Sequence, residues 1–124
     1  MKIVFIAGPY IGNGTEEEIE RNIKEAEAFA IALANWKIPF FCAHTHTSHF
    51  ERKSIAPEIF YKRLDMFVLK MLCGAVLATP RWQQSTGAKK EIEWARQKHY
   101  PIFFPKSPQD ENVLSDIEVW CKSV

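Results

Sequence analysis

Lys2-Ile-Val-Phe-Ile-Ala7, followed at once by Gly8-Pro-Tyr10-Ile-Gly12-Asn-Gly14, decides the fold of this chain. The first six residues are almost wholly apolar and rich in β-branched side chains, the pattern of a strand buried on both faces of a parallel sheet. The glycines then break it. Beyond them Thr15 can cap a helix, with Glu18 at the capping-box spacing and Glu16 and Glu17 complementing the positive end of the helix dipole. That helix is predicted to run to Trp36, and Ile19, Ile23, Ala26, Ala30 and Leu33 recur at helical spacing, so this face packs on the sheet.

The same alternation continues along the chain. Ile38 to Cys42 reads as a second short strand, with Pro39 near its start where a missing N–H is tolerable. Ala43 to Pro57 reads as a loop. From Glu58 to Leu72 the spacing of Ile59, Leu64, Phe67, Val68 and Met71 predicts a helix that stops near Gly74. Ala75 to Ala78 is then a third strand, Ser85 to Lys98 a helix, Pro101 to Phe104 a fourth strand, and Asn112 to Cys121 a final helix. Strands and helices in this order predict one α/β domain over residues 1–124. Its architecture is Rossmann-like (flavodoxin-like), a parallel sheet of four to five strands with helices on both faces. Ligands of such sheets bind at the carboxyl ends of the strands, where the strand order reverses.

Composition narrows the function. Sixteen basic residues against fifteen acidic ones give a net charge of +1, which argues against a bulk electrostatic grip on nucleic acid or on an anionic membrane. A small-molecule partner is expected. Cys42, Cys73 and Cys121 are odd in number, widely spaced and set among apolar residues, so reduced core thiols are favoured over a disulfide or a metal role. No signal-peptide pattern and no membrane-length apolar run is present, and a cytoplasmic protein is expected.

The chemistry concentrates after the third strand, in Thr79-Pro-Arg-Trp82-Gln-Gln-Ser85-Thr-Gly87-Ala-Lys-Lys-Glu91. Ser85 is a good N-cap, Gly87 lets a ligand approach the first turn, and the unpaired N–H groups there favour a phosphate or sugar oxygen. Glu91 lies four residues beyond Gly87 on the same helix face, past the turn where the dipole favours a negative charge. Six residues of helix rise about 9 Å, enough for a deoxyribose to lie between an anion at Ser85 and a carboxylate at Glu91. In the first loop, Gly8 to Gly14 departs from the dinucleotide fingerprint. It reads equally as a tight turn or as a sugar-binding or phosphate-binding loop. Tyr10 at its tip can aim its hydroxyl at a neighbouring carboxylate. His44, His46 and His49 are close enough to raise a metal site, but no cysteine or carboxylate at a convincing spacing completes one; none is expected.

Four motifs in order, Ile6-Ala-Gly-Pro-Tyr10, Asn22-Ile-x-x-Ala26, the stretch Pro39 to His44, and Pro80-x-Trp82-x-x-Ser85-x-Gly87-Ala-x-x-Glu91-x-x-x-Ala95, resemble the nucleoside 2-deoxyribosyltransferase-like superfamily. The resemblance spans about residues 3 to 104. It implies that Glu91 attacks the anomeric carbon of a 2'-deoxynucleoside or its 5'-monophosphate, releasing the base and leaving a covalent deoxyribosyl ester. A hydrogen bond from Tyr10 would then hold Glu91 in place and ionised. Asp65 matches the family's aspartate that orients the sugar hydroxyl or the leaving base, although the spacing alone also suits an ordinary ion pair with Lys62.

The resemblance further implies that Gly8, Pro9, Gly12, His44, Ser85 and Gly87 bind substrate, with His44 forming a wall of the pocket. Trp82 could stack on the base or sugar, or plug its loop against the body. No cofactor is implied, and a homodimer is. Two departures stand out. The nucleotide hydrolases of the family carry serine and arginine in the first loop where this chain has Pro9-Tyr-Ile-Gly-Asn, and related chains often place an acidic residue where this one has Gly74.

Overall fold

A computed structural model describes residues 1–123. Four parallel strands, β1 (Val4–Ala7), β2 (Phe40–Phe41), β3 (Ala75–Ala78) and β4 (Ile102–Phe103), lie in the order β2-β1-β3-β4. Around them pack α1 (Glu16–Asn35), α2 (Ala43–His46), α3 (Glu58–Leu72), α4 (Thr86–Gln97) and α5 (Glu111–Lys122). The order reverses between β1 and β3, the arrangement expected of a Rossmann-like sheet.

Side-chain alternation along the central strands explains why both faces are covered. Val4, Ile6 and Leu77 join Phe29 and Leu33 of α1 and Leu114 and Ile117 of α5 in one apolar cluster. Phe5, Ala7, Val76 and Ala78 point the other way, onto Leu69 of α3 and Ala88, Ile92 and Ala95 of α4. Successive strand residues face opposite layers, so a strand with helices on both sides must be apolar throughout. The predicted face of α1, Ile19, Ile23, Ala26, Ala30 and Leu33, is buried. Thr15 caps that helix by accepting a hydrogen bond from the Glu18 N–H at 3.2 Å.

Three details differ from the sequence reading. The strands are shorter at their ends than the apolar runs, because β2 and β4 lie at the sheet edges and pair on one side only, over two residues each. The stretch Ala43 to Pro57 is not a plain loop: it holds α2 and a 3₁₀ turn at Phe50–Arg52. Finally, α3 has the predicted bounds, but only Leu69 is fully buried. Its apolar residues Ile59, Phe60, Phe67, Met71 and Leu72 face outward, each more than half exposed.

Cys42 and Cys73 are buried free thiols as expected, whereas Cys121 is only half-buried. No helix among the described residues is long and apolar enough to cross a membrane.

Candidate active site

Because β1 and β3 are neighbours in register, from Val4 opposite Ala75 to Ala7 opposite Ala78, the loops that leave them emerge side by side. The ladder continues one step further, with the Thr79 N–H donating to the Ala7 carbonyl at 2.9 Å. Here the two loops touch. A Cβ on Gly8 would collide with the Thr79 hydroxyl, so only glycine allows this approach. Gly12 follows with φ +57°, where an added Cβ would also meet Glu18 Cγ at 2.5 Å.

A cavity of about 620 Å³ opens over these strand ends. Of the residues singled out in the sequence, Gly8, Pro9, Tyr10, Gly12 and His44 line one side, and Asp65, Ser85, Gly87 and Glu91 the other. Trp82 is not among them. Its ring packs 5.9 Å from Phe104 and against the cluster around Phe5, so of the two roles open to it the structure takes the plug. The short 3₁₀ turn Trp82–Gln84 swings the indole under the loop before α4 begins.

Ser85 caps α4 as predicted, its hydroxyl oxygen accepting from the Ala88 N–H at 3.1 Å. Its own hydrogen stays available to a ligand. Around Gly87 a Cβ would meet nothing closer than Ser85 Oγ at 3.8 Å, so packing does not demand glycine here and its effect is to leave the first turn open. The N–H groups of that turn have no intrahelical acceptor and face the positive end of the helix dipole.

Glu91 stands in the opposite electrostatic situation. Burial pushes its carboxyl up to about 8, with the nearby charge of Asp65 as a second cause. Among the described residues no hydrogen bond to Glu91 offsets this. Asp65 is itself raised to about 6 by burial, which the charge of His46 only partly opposes. One Asp65 oxygen, Oδ1, is buried without a partner. The ion pair that would have made Asp65 an ordinary helix acid is absent, since Lys62 pairs instead with Glu58 at 3.1 Å. Two enclosed carboxyls therefore share one cavity and hold about one proton between them near neutrality.

The expected contact from Tyr10 to Glu91 does not form. The Tyr10 hydroxyl donates to Glu51 Oε1 at 2.6 Å and accepts from the His49 N–H at 2.7 Å. Burial, followed by that bond to Glu51, raises the phenol well above its usual range, so it stays a donor. The 3₁₀ turn Phe50–Arg52 sets Glu51 over the first loop, within hydrogen-bond reach of Tyr10. Tyr10 thus positions a carboxylate, as expected, but a different one. Without that hydrogen bond, burial and the charge of Asp65 favour the neutral form of Glu91 over the ionised one that was expected.

The histidines separate. His44 Nε2 donates to the carbonyls of Gly8 and Pro9 at 3.1 and 3.0 Å, which fixes its tautomer. Burial lowers its pKa and keeps the ring neutral. His46 packs on Phe41 with ring centroids 5.4 Å apart, and His49 reaches Glu20 at 2.7 Å. Two further residues, quoted in the sequence motifs, are given no role there. Asn22, almost wholly buried, donates to the Tyr10 carbonyl at 2.9 Å and accepts from Arg81 Nη2 at 2.7 Å, while Arg81 Nε reaches Glu25 at 3.3 Å. An amide at a buried position of α1 was the available signal, since a group of that kind has to find partners.

Comparison of the sequence with protein-family models matched none of them, and no curated protein matches the chain.

The raised carboxyl of Glu91 has a cost in stability. Unfolding returns it to its ordinary value near 4.5, so the folded state loses stability as pH rises from there until the carboxyl ionises in the fold near 8. Glu91→Gln is expected to stabilise the protein by about 1–3 kcal/mol at pH 8.5 and to change little at pH 4, as read by urea unfolding. An equal effect at both pH values would contradict an enclosed, unpaired carboxyl.

Proposed function

We propose that the protein cleaves or transfers the N-glycosidic bond of a 2'-deoxynucleoside 5'-monophosphate or a related nucleoside, through a covalent deoxyribosyl ester on Glu91. The observation that carries this reading is a pair of enclosed, poorly satisfied carboxyls, Glu91 and Asp65, in one cavity beside the open first turn of α4. Carboxyl pairs whose environments shift their proton affinities are the usual equipment for glycosyl chemistry.

The shared proton suggests how they divide the work. As the sugar–base bond lengthens, positive charge grows at the anomeric carbon and favours the ionised form of Glu91 next to it. The proton is then better held by Asp65, which can deliver it to the departing base nitrogen while Glu91 Oε forms the new bond to C1'. Water or a second base subsequently takes the sugar from Glu91. Ser85 and the first-turn N–H groups of α4 suit an oxygen or phosphate at the far end of the sugar.

The alternative is a nucleotide-binding module without catalysis. A pure binder gains nothing from a carboxyl that costs stability, which favours the enzymatic reading. A homodimer is part of the proposal, and the outward apolar face of α3 supports it.

Incubation with deoxynucleosides and their monophosphates is expected to release free base, and Glu91→Gln to reduce that release by at least about 10³-fold. No release from any substrate, or equal release by the variant, would remove the nucleophile assignment. For wild type, kcat/KM should follow a bell, rising near 6 as the pair loses its first proton and falling near 8 as it loses the second, the one the leaving base needs. Asp65→Asn leaves a single carboxyl, so the falling limb should disappear and the residual activity should rise to a plateau below pH 8; a falling limb retained near 8 would refute the shared proton. In sedimentation velocity the wild type should run as a dimer and Phe67→Glu as a monomer; a monomeric wild type at tens of micromolar would exclude the dimer.

A further inference from the structure

Of the two cavity-lining carboxylates that the proposed reaction leaves unused, Glu58 pairs with Lys62 at 3.1 Å, which leaves Glu51. Its Oε1 is held by the Tyr10 hydroxyl at 2.6 Å, which fixes the side chain, while its Oε2 is buried with no hydrogen-bond partner. His49 Nδ1 is 4.0 Å from that oxygen, but accepts from Arg52 Nη2 at 2.8 Å and so has no hydrogen to offer it. A buried acceptor left without a donor costs stability, and a ligand that supplies one removes the cost.

Its surroundings say what kind of group comes there. Phe50 and Tyr61 also line the cavity, their rings meeting edge to face at 6.5 Å. Both are aromatic surfaces on the same side as Glu51, the side that Trp82 does not reach. Tyr10 holds Glu51 over the loop after β1, and Glu91 stands on the helix after β3, so the two carboxyls line the cavity from the two sides of the β1–β3 junction. A nucleoside with its sugar at Glu91 reaches across that junction with its base.

We propose that Tyr10, Phe50, Glu51 and Tyr61 form the base subsite, and that Glu51 Oε2 selects bases presenting an N–H donor, either an exocyclic amine or a ring imide. The inference rests on the glycosidic reading for the placement of the sugar. Two pairs of substrates test it: 2'-deoxyadenosine against its N6,N6-dimethyl analogue for the amine, and thymidine against N3-methylthymidine for the imide. Wild type should prefer the N–H member of at least one pair by about 10-fold or more in kcat/KM.

Glu51→Gln is the informative variant. It keeps the shape and the acceptor for Tyr10 but turns a donor toward the ligand, so the preference should fall to unity or reverse. Glu51→Ala should bring it to unity, and circular dichroism of both variants checks the fold. Base release with the same ratio in wild type and Glu51→Gln overturns the subsite and leaves the glycosidic reading standing. Absence of base release overturns that reading instead. Calorimetric binding of the same four nucleosides then decides the subsite alone: a preference that Glu51→Gln abolishes supports it, and absent or unselective binding overturns it.

Discussion

The four-residue pairing of β1 with β3 is the constraint on which the rest of the structure depends. It brings Ala7 and Ala78 abreast at one edge of the sheet, and the chain must leave both strands there. Two loops in such proximity can pass only if one of them is bare, which Gly8 provides against Thr79. From that contact follow the turn to Tyr10 on one side and the approach to Ser85 and α4 on the other. The cavity is the space left where the two chains diverge into helices on opposite faces.

What lines that space runs against the chemistry of the core beneath it. Val4 to Ala7 and Ala75 to Ala78 are fully buried and apolar, so the enclosed end of the cavity has little polar material to solvate a charge. Glu91, reaching in from α4, meets a setting that penalises its ionised form, and Asp65 adds to the penalty. The first turn of α4 offers the opposite: Ser85 takes up the Ala88 N–H, and the N–H groups of Thr86 and Gly87 stay open to a ligand. A ligand that is negative or oxygen-rich at one end and develops positive charge near the other would match both. This polarity along a single helix gives the cavity a direction.

Much of this was legible in the sequence, and the exceptions have physical causes. The elements came from patterns confined to one segment: β-branched runs for β1 and β3, helical spacing and caps for α1 and α4. Ser85, Gly87 and Glu91 came from position on those elements, whereas Asp65 came from the family resemblance, its spacing alone suiting an ion pair with Lys62. What did not come through depends on pairs of segments distant in the chain. Tyr10 meets Glu51 forty-one residues later, and the intervening stretch has no periodicity that would aim Glu51. Trp82 had two plausible partners, and only the position of Phe104 decides between them. The stripe on α3 has the spacing of a packed face, yet spacing cannot say whether the partner lies in the same molecule.

Asn22 gives the cavity its mechanics. Its single amide ties the carbonyl of Tyr10 to the guanidinium of Arg81, so a residue of α1 clamps the loop after β1 to the loop after β3. These two loops, joined in this way, form the floor. The opposite wall, carried by the short α2 and the 3₁₀ turn, is fastened to that floor twice, by His44 of α2 on the carbonyls of Gly8 and Pro9 and by Tyr10 on Glu51 and the His49 backbone. Pushing this wall outward would break the imidazole's bonds as well as the tyrosine's, so the cavity is riveted on that side at two independent points.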